Sequence, residues 1–255
     1  MHPTPLQLAF LLAAALLAGM VDAIAGGGGL IAVPALLAVG LPPQLALGTN
    51  KGQAVFGTGA ALIRFARSGM IDFRRARATF PLGLAGAVFG AGLVLLLPND
   101  VLRPIVLVLL VLVAVALALR PATPPVRAAR PRGHDLAIAG AVALVLGAYD
   151  GFFGPGTGTF LIFAFVFFFD LPMAHASADA KAVNFASNLA ALATFALRGA
   201  VLWRVALPMA LANFAGGLLG AHLAVRGGDA RVRRIVLAVV VALVLKLGHD
   251  LLGGR

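Results

Sequence analysis

Asp22, Lys51, Asp150 and Lys181 each lie inside a long apolar stretch of the chain. A lysine deep within a membrane helix costs on the order of 3 kcal/mol on insertion scales, so it faces a cavity or a partner and marks a functional path. One reading pairs each lysine permanently with an aspartate, the candidates being Asp22, Asp150 and, for Lys181, Asp179 two residues upstream. The other has at least one lysine neutralise a bound anion. The two coexist if the aspartate releases its lysine when the anion arrives. As acids within apolar runs, Asp22 and Asp150 are also candidates for proton coupling.

Each aspartate precedes a glycine-rich break, Gly26, Gly27, Gly28 and Gly29 in one case and Gly154, Gly156, Thr157 and Gly158 in the other. A helix that restarts at such a break inside a membrane leaves backbone N–H groups unpaired, with the positive end of the helix dipole behind them. Glycine also lets a ligand approach the backbone closely, so each break is a candidate anion site, one per half of the chain. The alternative is that the glycines only let helices cross tightly. Beside the lysines stand hydrogen-bonding groups suited to oxyanion oxygens: Asn50, Gln53 and Thr58 near Lys51, and Asn184, Ser187 and Asn188 near Lys181. Asn184, Ser187, Asn188 and Ala191 fall at i, i+3, i+4 and i+7, one polar stripe on a helix that either lines a passage or bonds between helices.

The elements that hold these residues are membrane segments. With 61% hydrophobic and 11% charged residues over 255 positions and a mean hydropathy of +1.02, the chain has too little polar surface to coat a soluble globule. Residues 6–21, followed by Ala23-Ile24-Ala25, resemble a signal peptide, but no Lys or Arg precedes them and Asp22 has a counterpart mid-chain, so they read as a membrane helix. The apolar piece at 30–41 is too short to cross a core of about 30 Å, which predicts a broken or re-entrant element. Residues 44–66 read as a helix rich in small residues and central to the bundle. An arginine-crowded loop with Arg64, Arg67, Arg74, Arg75 and Arg77 follows, cytoplasmic by charge. Two further segments cover 78–97 and 101–119.

The second half repeats the first. Matching residues keep one offset: 181 − 51, 195 − 65, 199 − 69, 220 − 90 and 233 − 103 all equal 130, while 150 − 22 equals 128. The expected organisation is a first membrane repeat at 1–119, a Pro- and Arg-rich cytoplasmic linker at 120–133 and a second repeat at 134–255. The expected fold is an all-α polytopic membrane protein of two homologous halves, with about eight spans among eight to ten membrane segments. Four spans per half make the repeat parallel and five make it inverted; the excess of Arg226, Arg231, Arg233 and Arg234 over Arg198 and Arg204 leans to inversion.

Several function classes drop out. The chain has no cysteine, its five histidines lack ligand-like spacing, and neither a metal nor another cofactor is called for. The net charge of +11 follows from topology-setting arginines rather than from nucleic acid. No nucleophile elbow, metalloprotease helix or P-loop is present, which argues against an enzyme or a primary pump. The glycine-rich stretch followed by VP, the segments GLPPQLALGTNKGQ and RSGMIDFRRA, and in the second half YDGFFGPGTGTF, ADAKAVNFASN and GGLLGAHLA together resemble the sulfite exporter TauE/SafE family over nearly the whole chain. The resemblance implies a multi-pass carrier of the bacterial inner membrane for small sulfur-containing or organic anions, such as sulfite or sulfonates. Without an ATP motif the carrier is secondary. An alternating-access anion transporter is therefore expected. A passive anion channel and a non-transporting assembly or sensory subunit are the alternatives. The expected partners are the bilayer and the small anion, with a homo-oligomer left open.

Overall fold

The computed structural model describes residues 3–118 and 135–226. The expected linker at 120–133, the residues beyond 226, and with them Arg231, Arg233 and Arg234, lie outside the described residues. All regular structure among the described residues is helical. Nine helices follow one another: α1 (Pro5–Ala25), α2 (Gly29–Ala38), α3 (Pro43–Arg67), α4 (Phe73–Leu96), α5 (Asn99–Ala118), α6 (Asp135–Phe152), α7 (Thr157–Phe169), α8 (Met173–Leu197) and α9 (Trp203–Arg226).

Their ends follow from local chemistry. Thr4 caps α1 reciprocally with Gln7, and Pro5 stands at the first helical position, where its missing N–H costs nothing. At the other end Gly26 adopts φ +76°, and its N–H returns to the Asp22 carbonyl; this left-handed residue stops the helix. Extended Pro42 and Pro172 precede α3 and α8. The Asp72 carboxylate accepts from the backbone N–H groups of Arg74 and Arg75, so α4 starts at Phe73, five residues before the segment expected at 78–97. Arg74, Arg75 and Arg77 thus belong to the first turns of a helix rather than to a loop.

The helices α1, α4, α6 and α9 are long and apolar enough to cross a membrane. The 25-residue helices α3 and α8 are long enough but carry the polar cargo of the chain. Thr49, Asn50, Lys51, Gln53 and Thr58 on α3, and Ser177, Asp179, Lys181, Asn184, Ser187 and Asn188 on α8, are all buried. Outside, Phe10, Leu17, Ile63, Phe89, Leu112, Val145, Leu211 and Leu219 are exposed. Polar interior and apolar exterior are the arrangement a bilayer demands. In the phenylalanine run of α7, Phe165 is fully buried and Phe167 exposed, so the run serves both packing and surface.

Contacts set the directions. The helix α2 folds back along α1: the start of α2 at Gly28 presses on Ala18 and Asp22, and Ala35 and Leu36 pack with Leu11, Ala14 and Ala15. Along α3, Gly48 meets Ala200 and Phe195, Gly52 meets Leu192, Gly59 meets Phe185, and Asp72 just past its end meets Asp179. Helices α3 and α8 are therefore antiparallel. By contrast α4 and α6 run parallel, with Gly83 on Gly147, Ala87 on Gly151 and Gly90 on Phe152. So do α1 and α9, with Gly19 on Asn213 and Met20 on Gly220.

Candidate functional site

The two glycine breaks meet at the centre of the molecule. The N–H of Thr159 donates to the Gly26 carbonyl at 3.3 Å, and its hydroxyl donates to the Ala25 carbonyl at 2.7 Å. Gly158 packs directly on Gly26, too closely for a Cβ on either. What the sequence presents as two separate sites forms one. A single cavity is lined by Gly26, Gly28 and Gly29 from the first break, by Gly154 and Gly158 from the second, and by Asp22, Asn50, Lys51, Gln53, Thr58, Asp150, Asn184, Asn188 and Asn213. Its free space is about 20 Å³, enough for one water-sized group.

The ion pairs cross between the breaks. Lys51 Nζ on α3 lies 2.9 Å from Asp150 Oδ1 on α6, with the side chains 2% and 3% exposed. Lys181 Nζ on α8 lies 2.8 Å from Asp22 Oδ2 on α1 and donates also to the Asp22 carbonyl oxygen. Both aspartates stand in the final turn and a half of their helices, at the tips formed by α1 with α2 and by α6 with α7. Asp179 does not serve Lys181. Residues two apart on a helix point to opposite sides, and Asp179 instead pairs with Arg75 and accepts from the Asp72 N–H at 2.8 Å. The Arg75 guanidinium is also 4.9 Å from the centre of the Phe169 ring.

Other polar groups hold the shape. Asn188 Nδ2 donates to the Asn184 carbonyl and side-chain oxygens at 2.7 and 2.6 Å, and Gln53 Nε2 donates to Asn50 Oδ1 at 2.9 Å. The Tyr149 hydroxyl donates to the Pro155 carbonyl at 2.6 Å with its ring against Phe153 and Phe160, which staples the second break. Thr157 closes the same turn onto the Gly154 carbonyl. Of the residues singled out in the sequence, Gly27, Gly156, Thr157, Asp179, Lys181 and Ser187 do not line the cavity.

The family model for the sulfite exporter TauE/SafE family matches residues 11–247. The chain belongs to the sulfite exporter TauE/SafE family. Curated relatives match nearly the whole chain. "Probable membrane transporter protein ORF9" of Sinorhizobium sp is 39% identical over 95% of this chain and 93% of its own length. "Probable membrane transporter protein YfcA" of Escherichia coli K12 is 36% identical over 97% and 91%. A "probable membrane transporter protein" of Haemophilus influenzae is 34% identical over 95% of both. No solved structure matches the chain. Membership of this family, with the apolar helices described above, makes the chain a multi-pass membrane protein of a transporter family.

Among the cavity residues of this TauE/SafE chain, Asn213 escaped the sequence reading. It lies on α9, donates to the Ala15 carbonyl at 2.9 Å and is 3% exposed. Its signal was present in the sequence: a lone carboxamide in the apolar run LPMALANFAGG needs a partner once it leaves water.

Proposed function

We propose that this chain is a secondary transporter that carries a small sulfur-containing or organic oxyanion across a bacterial inner membrane by alternating access. One observation carries the reading. Lys51 is a buried cation with three N–H donors, held by a single carboxylate oxygen and lining a polar cavity between two helix breaks. Lys181, bound to two oxygens of Asp22, lies off the cavity. On this reading Lys51 meets the anion and Lys181 ties α8 to α1. The amides of the first break add donors, since those of Gly28 and Gly29, which line the cavity, donate to no protein acceptor among the described residues.

Alternating access is supported by a repeat of contacts. The ion pairs Lys51–Asp150 and Lys181–Asp22 are related by offsets of 181 − 51 = 130 and 150 − 22 = 128. The close contacts Gly83–Gly147 and Asn213–Gly19 obey the same pair of offsets, 213 − 83 = 130 and 147 − 19 = 128. The antiparallel course of α3 and α8 favours two inverted halves, at 1–119 and 134–255 with a linker at 120–133. The first half supplies one folded-back pair, α1 with α2, and three crossings, α3, α4 and α5, in keeping with about eight membrane elements in all. An odd number of crossings reverses the second half. Inversion also fits the charges, because it sets Arg64, Arg67, Arg74, Arg75 and Arg77 on the face opposite Arg198 and Arg204, the first group cytoplasmic.

The test is uptake by proteoliposomes offered labelled sulfite, sulfate, small sulfonates and carboxylates. Uptake of an oxyanion that saturates with concentration, and that Lys51→Gln removes while still purifying as a folded particle, is the expected result. Flux linear in concentration would mean a channel. No flux of any anion would end the transporter reading.

A further inference from the structure

Two buried side-chain atoms among the described residues have no hydrogen-bond partner, Asp150 Oδ2 and Gln53 Oε1, and both residues line the central cavity. Both atoms are acceptors. Gln53 spends its amide N–H on Asn50 Oδ1, which leaves its oxygen as the free end. Asp150 spends Oδ1 on Lys51, which leaves Oδ2. Opposite them, Lys51 keeps N–H donors without a protein acceptor among the described residues. Beside the donors of Lys51 and of the Gly28 and Gly29 amides, the cavity therefore offers two free acceptors.

A fully deprotonated anion fits this set badly. It can accept from Lys51, but the charge of Lys51 is already cancelled by Asp150, and the anion would close on a bare carboxylate oxygen and leave Gln53 Oε1 unsatisfied. Buried acceptors that lose water without gaining a donor oppose binding. We propose that the ligand of this cavity is an anion that carries its own hydrogen-bond donor: a singly protonated oxyanion, or a hydroxyl- or amino-bearing sulfonate or carboxylate. Its anionic oxygens meet Lys51 and its donor meets Asp150 and Gln53. The space takes one water-sized group, so the ligand enters as the two helix breaks part. The proposal rests on the anion-transporter reading above and narrows its substrate class.

Sulfonates of equal size test it at a fixed pH. The purified chain in detergent is titrated calorimetrically with ethanesulfonate, hydroxymethanesulfonate and aminomethanesulfonate, and with sulfite and sulfate for reference. The donor-bearing sulfonates should bind at least about tenfold more tightly than ethanesulfonate, since a site built to hydrogen-bond a group rejects the analogue that lacks it. Gln53→Met, which leaves the Lys51–Asp150 pair in place, should shrink that preference to about threefold or less. Equal affinity for the three sulfonates overturns the proposal and leaves the transporter reading standing, because a water molecule then satisfies both oxygens. So does binding of sulfate without binding of the donor-bearing sulfonates. A preference that survives undiminished in Gln53→Met overturns the placement of the donor. Failure of every anion to bind overturns the transporter reading, and this proposal with it.

Discussion

Lys51 is ion-paired with one oxygen of Asp150, whereas Lys181 donates to two of Asp22 and is fully buried. On the proposed reading the two lysines carry unequal duties, and substitutions should separate them. Removing one partner of a buried ion pair strands the other and costs about 3 kcal/mol or more. For Lys181→Met we expect that loss in stability, read as a fall in melting temperature in detergent, with the ligand affinity of the folded fraction close to wild type. For Lys51→Met we expect ligand affinity to fall by more than the melting temperature predicts. Equal effects of the two substitutions on affinity would sink the division of labour. The four charged residues of these pairs stand out in the sequence because charge in an apolar run is costly. Which aspartate serves which lysine does not, because each lysine is joined to the aspartate of the other glycine break by a fold that only the three-dimensional packing defines.

At the scale of the element, the folded-back pairs α1 with α2 and α6 with α7 set the site. The turn between α6 and α7 holds Gly154, and Gly199, just past the end of α8 and away from the site, serves as its comparison. Gly154 has φ +93°, and a Cβ there would lie 2.8 Å from Lys51 Nζ; Gly199 has φ +67° and open space around it. In both positions alanine adopts a left-handed conformation at a cost of about 1–2 kcal/mol. Gly199→Ala should show that cost alone, with uptake per folded molecule unchanged. Gly154→Ala should in addition displace Lys51 and lose most uptake, which transport assays normalised to folded protein will read. The glycine breaks and the short length of 30–41 made these elements legible in advance, since a half-length apolar piece cannot cross a bilayer. The start of α4 was not legible, because the cap at Asp72 hid among arginines whose charge reads as a loop. Nor was the meeting of the two breaks, which depends on Gly26 and Gly158 touching across 132 residues of sequence, 158 − 26.

Across the whole molecule, α3 and α8 are tied at both ends by the same contact made with different chemistry. At one end the Asp72 N–H donates to Asp179 Oδ1, and Arg75 joins the carboxylate while lying over Phe169. At the other the Leu202 N–H donates to Thr49 Oγ1 at 3.0 Å. The partners are related by 202 − 72 = 130 and 179 − 49 = 130. One tie is charged and the other neutral, and because α3 and α8 are antiparallel the two sit at opposite ends of the bundle. If the chain alternates its access, each tie holds one end shut. Loss of a hydrogen bond to a charged group is worth about 1.5–3 kcal/mol, enough to shift a two-state population by about tenfold or more. The chain has no cysteine, so Thr58→Cys, at the cavity, provides a single reporter. A membrane-impermeant maleimide applied from each side then reads which end is open. Asp179→Ala should speed labelling from the arginine-rich face by about tenfold and slow it from the other. Thr49→Val should do the reverse by a smaller factor, since only a neutral hydrogen bond is lost. Faster labelling from both sides in either variant would mean general loosening, and the two ties would then be packing contacts rather than gates.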